Sequence, residues 1–458
     1  MKKLLLNTSK TNQQNLFYSQ LSDMLDMNDP LIALANAIDW EIFENEFAGF
    51  YSKDGCPAKP IRLMVGLLIL KQLENLSDES IVIQWKRNPY YQYFCGYNEM
   101  QVCEPCHSTQ LVKFRQRIGI IGMELIFKVS VQLHGSCAEE KQVLIDTTVQ
   151  EKNITYPTDG KLAIKMIHHL HKIGKKEQLN LRRTFVKEIK EHRINLRFFK
   201  HPKKIKKARA SIKRLRTIVG ILIRDISRNL SQDKLSNYEN TFKLFDKVRN
   251  QQIKDSNKVL SLHETHVYAI TKGKDHKKYE YGTKASIVAT KDSGVIVGVA
   301  SHSKNEHDSK TLEAALISAN QTRTTPIKEA ICDRGYRGVK EVLGTTICIP
   351  GTPLKRDSEY QKQKKREKFK RRAAIEPIIG HLKSDFRLAR NYLKGFIGDQ
   401  INLLLAATAW NLKKWINIYF FALFNGETKL LLESVSQIKL YYQIFLQLIV
   451  IKLIFIHS

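Results

Sequence analysis

The stretch Gln142 to Val149 reads QVLIDTTV. An apolar, β-branched run with one carboxylate reads as a buried strand, and it breaks the helical period of everything before it. Upstream, Leu21 to about Gly135 is helical. Ile61 to Leu73 (IRLMVGLLILKQL) predicts a buried helix with Pro60 at its start, where a missing N–H costs little. Ser77 and Asp78 offer caps for a second helix over Glu79 to Lys86. A third, Thr109 to about Ile118, carries Lys113, Arg115 and Arg117. Helix, polar turn and basic helix suit a DNA-docking domain, and a plain helical bundle fits the same pattern.

Downstream, Pro157 to about Arg249 is helical and strongly basic. Strand signals return at Val259 to Ile270, Gly282 to Thr290 and Val295 to Ala300. A helix from Ser309 to about Ala319 and a short strand at Glu329 to Cys332 follow. The chain is therefore mixed α/β. It divides into a helical N-terminal domain (1–135), an α/β domain (136–424) with a basic helical insertion at about 160–250, and an atypical apolar tail (425–458). The tail is interrupted by Gln443, Gln447 and Lys452, so no membrane span is expected.

The 458 residues include 75 Lys and Arg against 45 Asp and Glu, a net charge of +30. Such an excess repels itself unless a polyanion compensates it, which points to nucleic acid. The basic insertion is expected to follow phosphates. Seven scattered cysteines form no paired framework, and three leucines after MKK are too few for a secretory signal. A cytoplasmic, nucleoid-associated protein is expected. Cys103-Glu-Pro-Cys106-His107 fits a haem attachment pattern but, without export, reads as a turn.

Three acids stand out. Asp146 follows Val143, Leu144 and Ile145, a setting that calls for compensation of its charge by a metal or by a turn it caps. Asp333 ends the strand-like run Ala330-Ile331-Cys332, and a glycine turn follows at once. Functional groups gather at the carboxyl ends of strands in open sheets. Glu376 heads a helical stretch in which Pro377 marks the first turn. At about 100° per residue, Lys383, Arg387 and Arg390 share its face, and Arg372 joins them if the helix begins earlier. Three carboxylates are what two divalent ions need for in-line displacement at phosphorus: Mg²⁺ or Mn²⁺, two per site.

Long ordered motifs resemble the DDE class of insertion-sequence transposases, in the group called family five. They are PAKPIRLMVGLLILKQLENLSDESIVIQW (57–85), YYQYFCGY (90–97), STQLVKFRQRIG (108–119), IDTTVQEKNITYPTDGKLAIK (145–165), GKDHKKYEYGTKASIVAT (273–290), NEHDSKTLEAAL (305–316), ICDRGYRG (331–338) and RRAAIEPIIGHLKSDFRLARNYLKGFIGDQINLLLAATAWNL (371–412). The resemblance gives Asp146, Asp333 and Glu376 the places of the catalytic acids and sets His307-Asp308 near them. A related signature, Tyr, two residues, Arg, three, Glu, six, Lys, falls on Arg372, Glu376 and Lys383, with Phe369 in place of its tyrosine. It implies a ribonuclease-H-like core, binding to terminal inverted repeats, and strand cleavage followed by transfer to target DNA; a homodimer on the DNA is expected. A decayed or domesticated repressor and a nuclease without strand transfer are the competing functions.

Overall fold

The computed structural model describes residues 20–51, 57–252, 254–255, 257–274, 277–349, 351 and 354–423; the tail expected at 425–458 lies outside them. Helices come first: α1 (Leu21–Met24), α2 (Pro30–Ala37), α3 (Trp40–Ala48), α4 (Ile61–Leu73), α5 (Asp78–Arg87), α6 (Pro89–Phe94) and α7 (Ser108–Gln132). α4 occupies its expected residues and buries nearly every side chain, as a helix apolar all round must. The Ser77 hydroxyl caps α5 by accepting from Ser80 N at 3.0 Å. α7 runs past its expected end: Gly119 (φ 60, ψ −155) breaks the helix, and a second helical stretch continues to Gln132.

β1 (Gln142–Glu151), β2 (Tyr268–Lys274), β3 (Lys277–Thr290), β4 (Ile296–His302), β5 (Glu329–Ile331), β6 (Glu341–Val342) and β7 (Thr345–Cys348) form one mixed sheet. Its order is β2-β3-β1-β5-β7-β6, with β4 also paired to β3. β3 is antiparallel to both β1 and β4, whereas β1, β5 and β7 run parallel. β1 is central and covered on both faces, which explains its unbroken Val143-Leu144-Ile145 run. The strand expected from Val259 starts only at Tyr268. Val259 instead packs into the insertion, where the Gln251 side chain bonds both its N–H and its carbonyl. β6 and β7 are too short to leave an alternating signature, and the sequence reading did not anticipate them.

Between β1 and β2, α8 (Asp159–Lys176), α9 (Val186–Asn195), α10 (Ile205–Asn229) and α11 (Gln232–Asn250) build the helical insertion around a core of its own. α10 buries Ala208, Ser211, Leu215, Ile218, Leu222 and Ile226 at spacings of three and four. Its lysines and arginines form the solvent side of an amphipathic helix. α12 (Leu312–Thr322) covers β3 and β4, and α13 (Glu359–Arg372) leads almost directly into α14 (Ile375–Ser384). A last helix, α15, spans 395–423. There Asn411 accepts from Ile296 N at 2.9 Å and donates to Ile296 O at 2.8 Å, closing an exposed edge of β4. One apolar core joins the N-terminal helices, the sheet and α15. No helix among the described residues is long and apolar enough to cross a membrane.

Candidate active site

Leu144 and Ile331 are register partners on the parallel neighbours β1 and β5, and each is followed two residues later by an aspartate. Side chains two apart on a strand share a face, and neighbouring strands lie about 4.8 Å apart. Asp333 keeps an extended backbone (φ −82, ψ −176). Asp146 and Asp333 therefore leave one face of the sheet side by side. α14 packs on that face, with Ile375 closing a small buried cluster against Leu144 and Ile331. Seating Ile375 brings its neighbour Glu376 to the rim of the aspartates. Arg372 links them: its Nη2 stands 3.7 Å from Asp146 Oδ2 and 3.4 Å from Glu376 Oε1.

Asp308 is a fourth acid at this place. Its Oδ1 accepts from Thr147 Oγ1 and from Lys284 Nζ, each at 2.9 Å. Asp333 Oδ1 accepts from Gly335 N at 2.8 Å. A β-carbon on Gly335 would stand 2.9 Å from both Asp308 Oδ2 and Asp333 Oδ1. Glycine thus lets the two carboxylates close in, and Gly335→Ala is expected to force them apart. Divalent-ion affinity and DNA cleavage should fall roughly 10–100-fold with the melting temperature little changed. Cleavage within twofold of wild type would show that this spacing is irrelevant. The acids' field reaches their buried neighbours. Burial pushes the Cys332 thiol up, and the charges of Asp333 and Asp146 push it further. Burial also raises the Tyr336 phenol, with Asp146 the leading charge acting on it.

Carboxylate oxygens without histidine or cysteine suit a hard divalent cation. Among the described residues, no three His, Cys, Asp or Glu side chains are gathered closely enough to enclose one ion. Arg372 stands between two of these acids. The donor chemistry fits; the arrangement is one that an ion would have to draw closer.

The basic residues expected at the DNA divide into groups. Lys383, on α14, lies 3.9 Å from the buried Glu280 Oε2. α14 stops at Ser384, where Leu388 N and Ala389 N turn back to the carbonyls of Leu382 and Lys383. Arg387 and Arg390 therefore leave the helical stripe expected for them. Arg387 adopts a left-handed backbone (φ 63) and donates to Asn75 O at 2.9 Å. Arg390 donates to Asn153 Oδ1 at 2.8 Å, and both guanidinium groups lie within 6 Å of the Tyr392 ring, at 5.6 and 5.9 Å. On α7, Lys113 is exposed and Arg117 lies 4.6 Å over the Tyr51 ring. Arg115 is turned inward. Its side chain is 4% exposed and grips Asp78 with two nitrogens, so the role expected for it at DNA gives way to one in packing.

The sequence reading missed α13. Its text, EYQKQKKREKFKRR, has no apolar period; the capping box of Ser358 and Gln361 was the signal available. The Phe369 side chain lies outside the described ones.

Residues 19–117 match the family described as a transposase domain (DUF772), and residues 257–412 match the transposase DDE domain. An uncharacterized protein of Rhizobium meliloti, ORF8 in the nfe locus, is 37% identical over 194 residues, which is 41% of this chain and 94% of that protein. No solved structure matches the chain. The chain belongs to the DDE transposases. Asp333 and Glu376 fall inside the second match, and Asp146 lies outside both.

Proposed function

We propose that this chain is the transposase of an insertion sequence of the group called family five. In this reading it binds the terminal inverted repeats of its element, then cleaves and transfers DNA strands at Asp146, Asp333 and Glu376. The observation that carries it is the register of β1 and β5, which sets two aspartates side by side beneath the helix bearing Glu376. The order β4-β3-β1-β5-β7, antiparallel then parallel, supports a ribonuclease-H-like core. The helices through residue 135 are assigned to end binding, residues 136–424 to catalysis, and the insertion at 160–250 to following the backbone of the DNA.

Bound Mg²⁺ or Mn²⁺, two ions per site, would activate the attacking water and stabilise the leaving 3′ oxygen. Asp146, Asp333 and Glu376 would hold these ions. Asp308 is tied to β1 through Thr147 and stands beside Asp333 across Gly335, while Lys284 holds its carboxylate in place. Arg372, Lys383, Arg390, Lys113 and Arg117 are assigned to DNA, with Arg387 tying the turn after α14 to the turn after α4 through Asn75 O. The enzyme is assigned to the cytoplasm, working as a homodimer on DNA.

Incubated in Mg²⁺ with a donor carrying the element's ends and a separate target plasmid, the protein is expected to join end to target. Cleavage without joining would make it a nuclease. Binding without cleavage would make it a repressor.

A further inference from the structure

Arg372 ends α13 and enters the acid cluster, where both its contacts, 3.7 and 3.4 Å, are longer than a charge-assisted hydrogen bond of about 2.7–2.9 Å. The guanidinium is held by charge, without a bidentate fork, and its side chain is 21% exposed. An ion shared by Asp146 and Glu376 needs the same ground, since Mg²⁺ sits about 2.0–2.1 Å from each oxygen. Guanidinium and ion exclude each other there.

The helix that carries Arg372 is itself rich in cations. α13 buries none of its described side chains; Glu359, Asp357 and Asp292 pair with Lys362, Lys365 and Arg371, which leaves Lys364, Arg366 and Lys370 in excess. Like charges three and four residues apart destabilise a helix. Duplex phosphate is the polyanion that matches a rod of cations, and this rod leads straight to the acids.

We propose that Arg372 is an exchange residue. DNA phosphate docking along α13 draws its guanidinium off Asp146 and Glu376, so the acids take up divalent ions only after DNA has bound. The inference rests on the reading of these acids as metal ligands. By linkage, DNA then raises the affinity for the ions, and the ions raise the affinity for DNA by the same factor.

Mn²⁺ binding, measured by titration calorimetry on the full chain with and without a random-sequence duplex, tests this once binding to the duplex alone is subtracted. Without DNA, Arg372→Gln is expected to bind Mn²⁺ about 5–150-fold tighter than wild type, the usual span of a coupling between sites. It should also lose most of the gain that DNA gives wild type. Arg372→Lys, which keeps the charge on a smaller head, should fall between. For Arg372→Gln the slope of log DNA affinity against log salt should shrink by about one. Melting should change little, because α13 buries none of its described side chains. Asp146→Asn identifies the binding that belongs to the site. If Mn²⁺ binds in an Asp146-dependent way but equally well to wild type and Arg372→Gln, the exchange role is overturned and the metal site stands. If no Asp146-dependent binding occurs in any arm, the metal site and the exchange role fall together.

Discussion

Asp146→Asn is expected to lower metal-dependent strand cleavage by roughly three orders of magnitude or more, a rise of about 4 kcal/mol in the barrier. Asp333→Asn and Glu376→Gln should do the same. Asp146 is 16% exposed on β1 and its Oδ1 accepts from Thr147 N at 2.7 Å, so asparagine keeps the shape and that bond while losing the charge an ion requires. DNA binding should survive, because phosphate contacts come from lysine and arginine. It can even tighten in chelator: removing one negative charge near a phosphate relieves about 1 kcal/mol of repulsion at 4 Å in water. Gel-shift and cleavage assays on the same preparations separate the two effects. Cleavage that survived all three substitutions would rule this triad out.

Asp78→Ala is expected to cost about 3–5 kcal/mol of stability, a large part of the roughly 5–15 kcal/mol that holds a typical domain. Asp78, on α5, meets Lys71 of α4 at 2.9 Å and both terminal nitrogens of Arg115 on α7. Its removal would leave two buried cations, at 8% and 4% exposure, facing one another. Burial alone would raise the Asp78 carboxyl, but the Arg115 hydrogen bonds and the Lys71 charge outweigh it and hold it at about 2. Lys71 moves the unfavourable way, since burial lowers it more than Asp78 restores. The benefit therefore rests mainly on the bidentate Arg115 contact. A depressed acid stabilises the fold above its unfolded value near 3.8, and that contribution fades as pH falls toward 2. Urea titrations between pH 7 and pH 2.5 should show wild type losing stability across this window and Asp78→Ala losing less. Equal stability of the two at pH 7 would contradict the account.

Much of this molecule is legible locally. α4 matches its expected ends because the unbroken apolar run from Leu63 to Leu70, starting just after Pro60, has one local solution. β1 was readable for a related reason: a β-branched run with one carboxylate can be buried only as a covered strand, and the same contrast drew attention to Asp146. Asp333 was conspicuous between an apolar run and a glycine turn. These features depend on near neighbours in the chain, and periodicity records them.

What the chain order cannot record is who meets whom across space. Nothing in the text says that β5 lies beside β1 in the register that aligns Leu144 with Ile331, so the convergence of Asp146 and Asp333 waits on the sheet. Arg115 and Arg117 look alike in a basic helix; only the placement of Asp78, 37 residues earlier, turns one of them inward. Arg387 and Arg390 keep helical spacing with Glu376 on paper, yet the helix ends at Ser384, where Leu388 N bonds back to Leu382 O and Ala389 N to Lys383 O. Arg372 shares a face with Glu376 four residues on, but it meets Asp146 only when α14 settles on Leu144 and Ile331. Periodicity fixes which face of an element is apolar, whereas the partner of a charged side chain is set by long-range packing, since its Coulomb energy depends on distance in space and not along the chain.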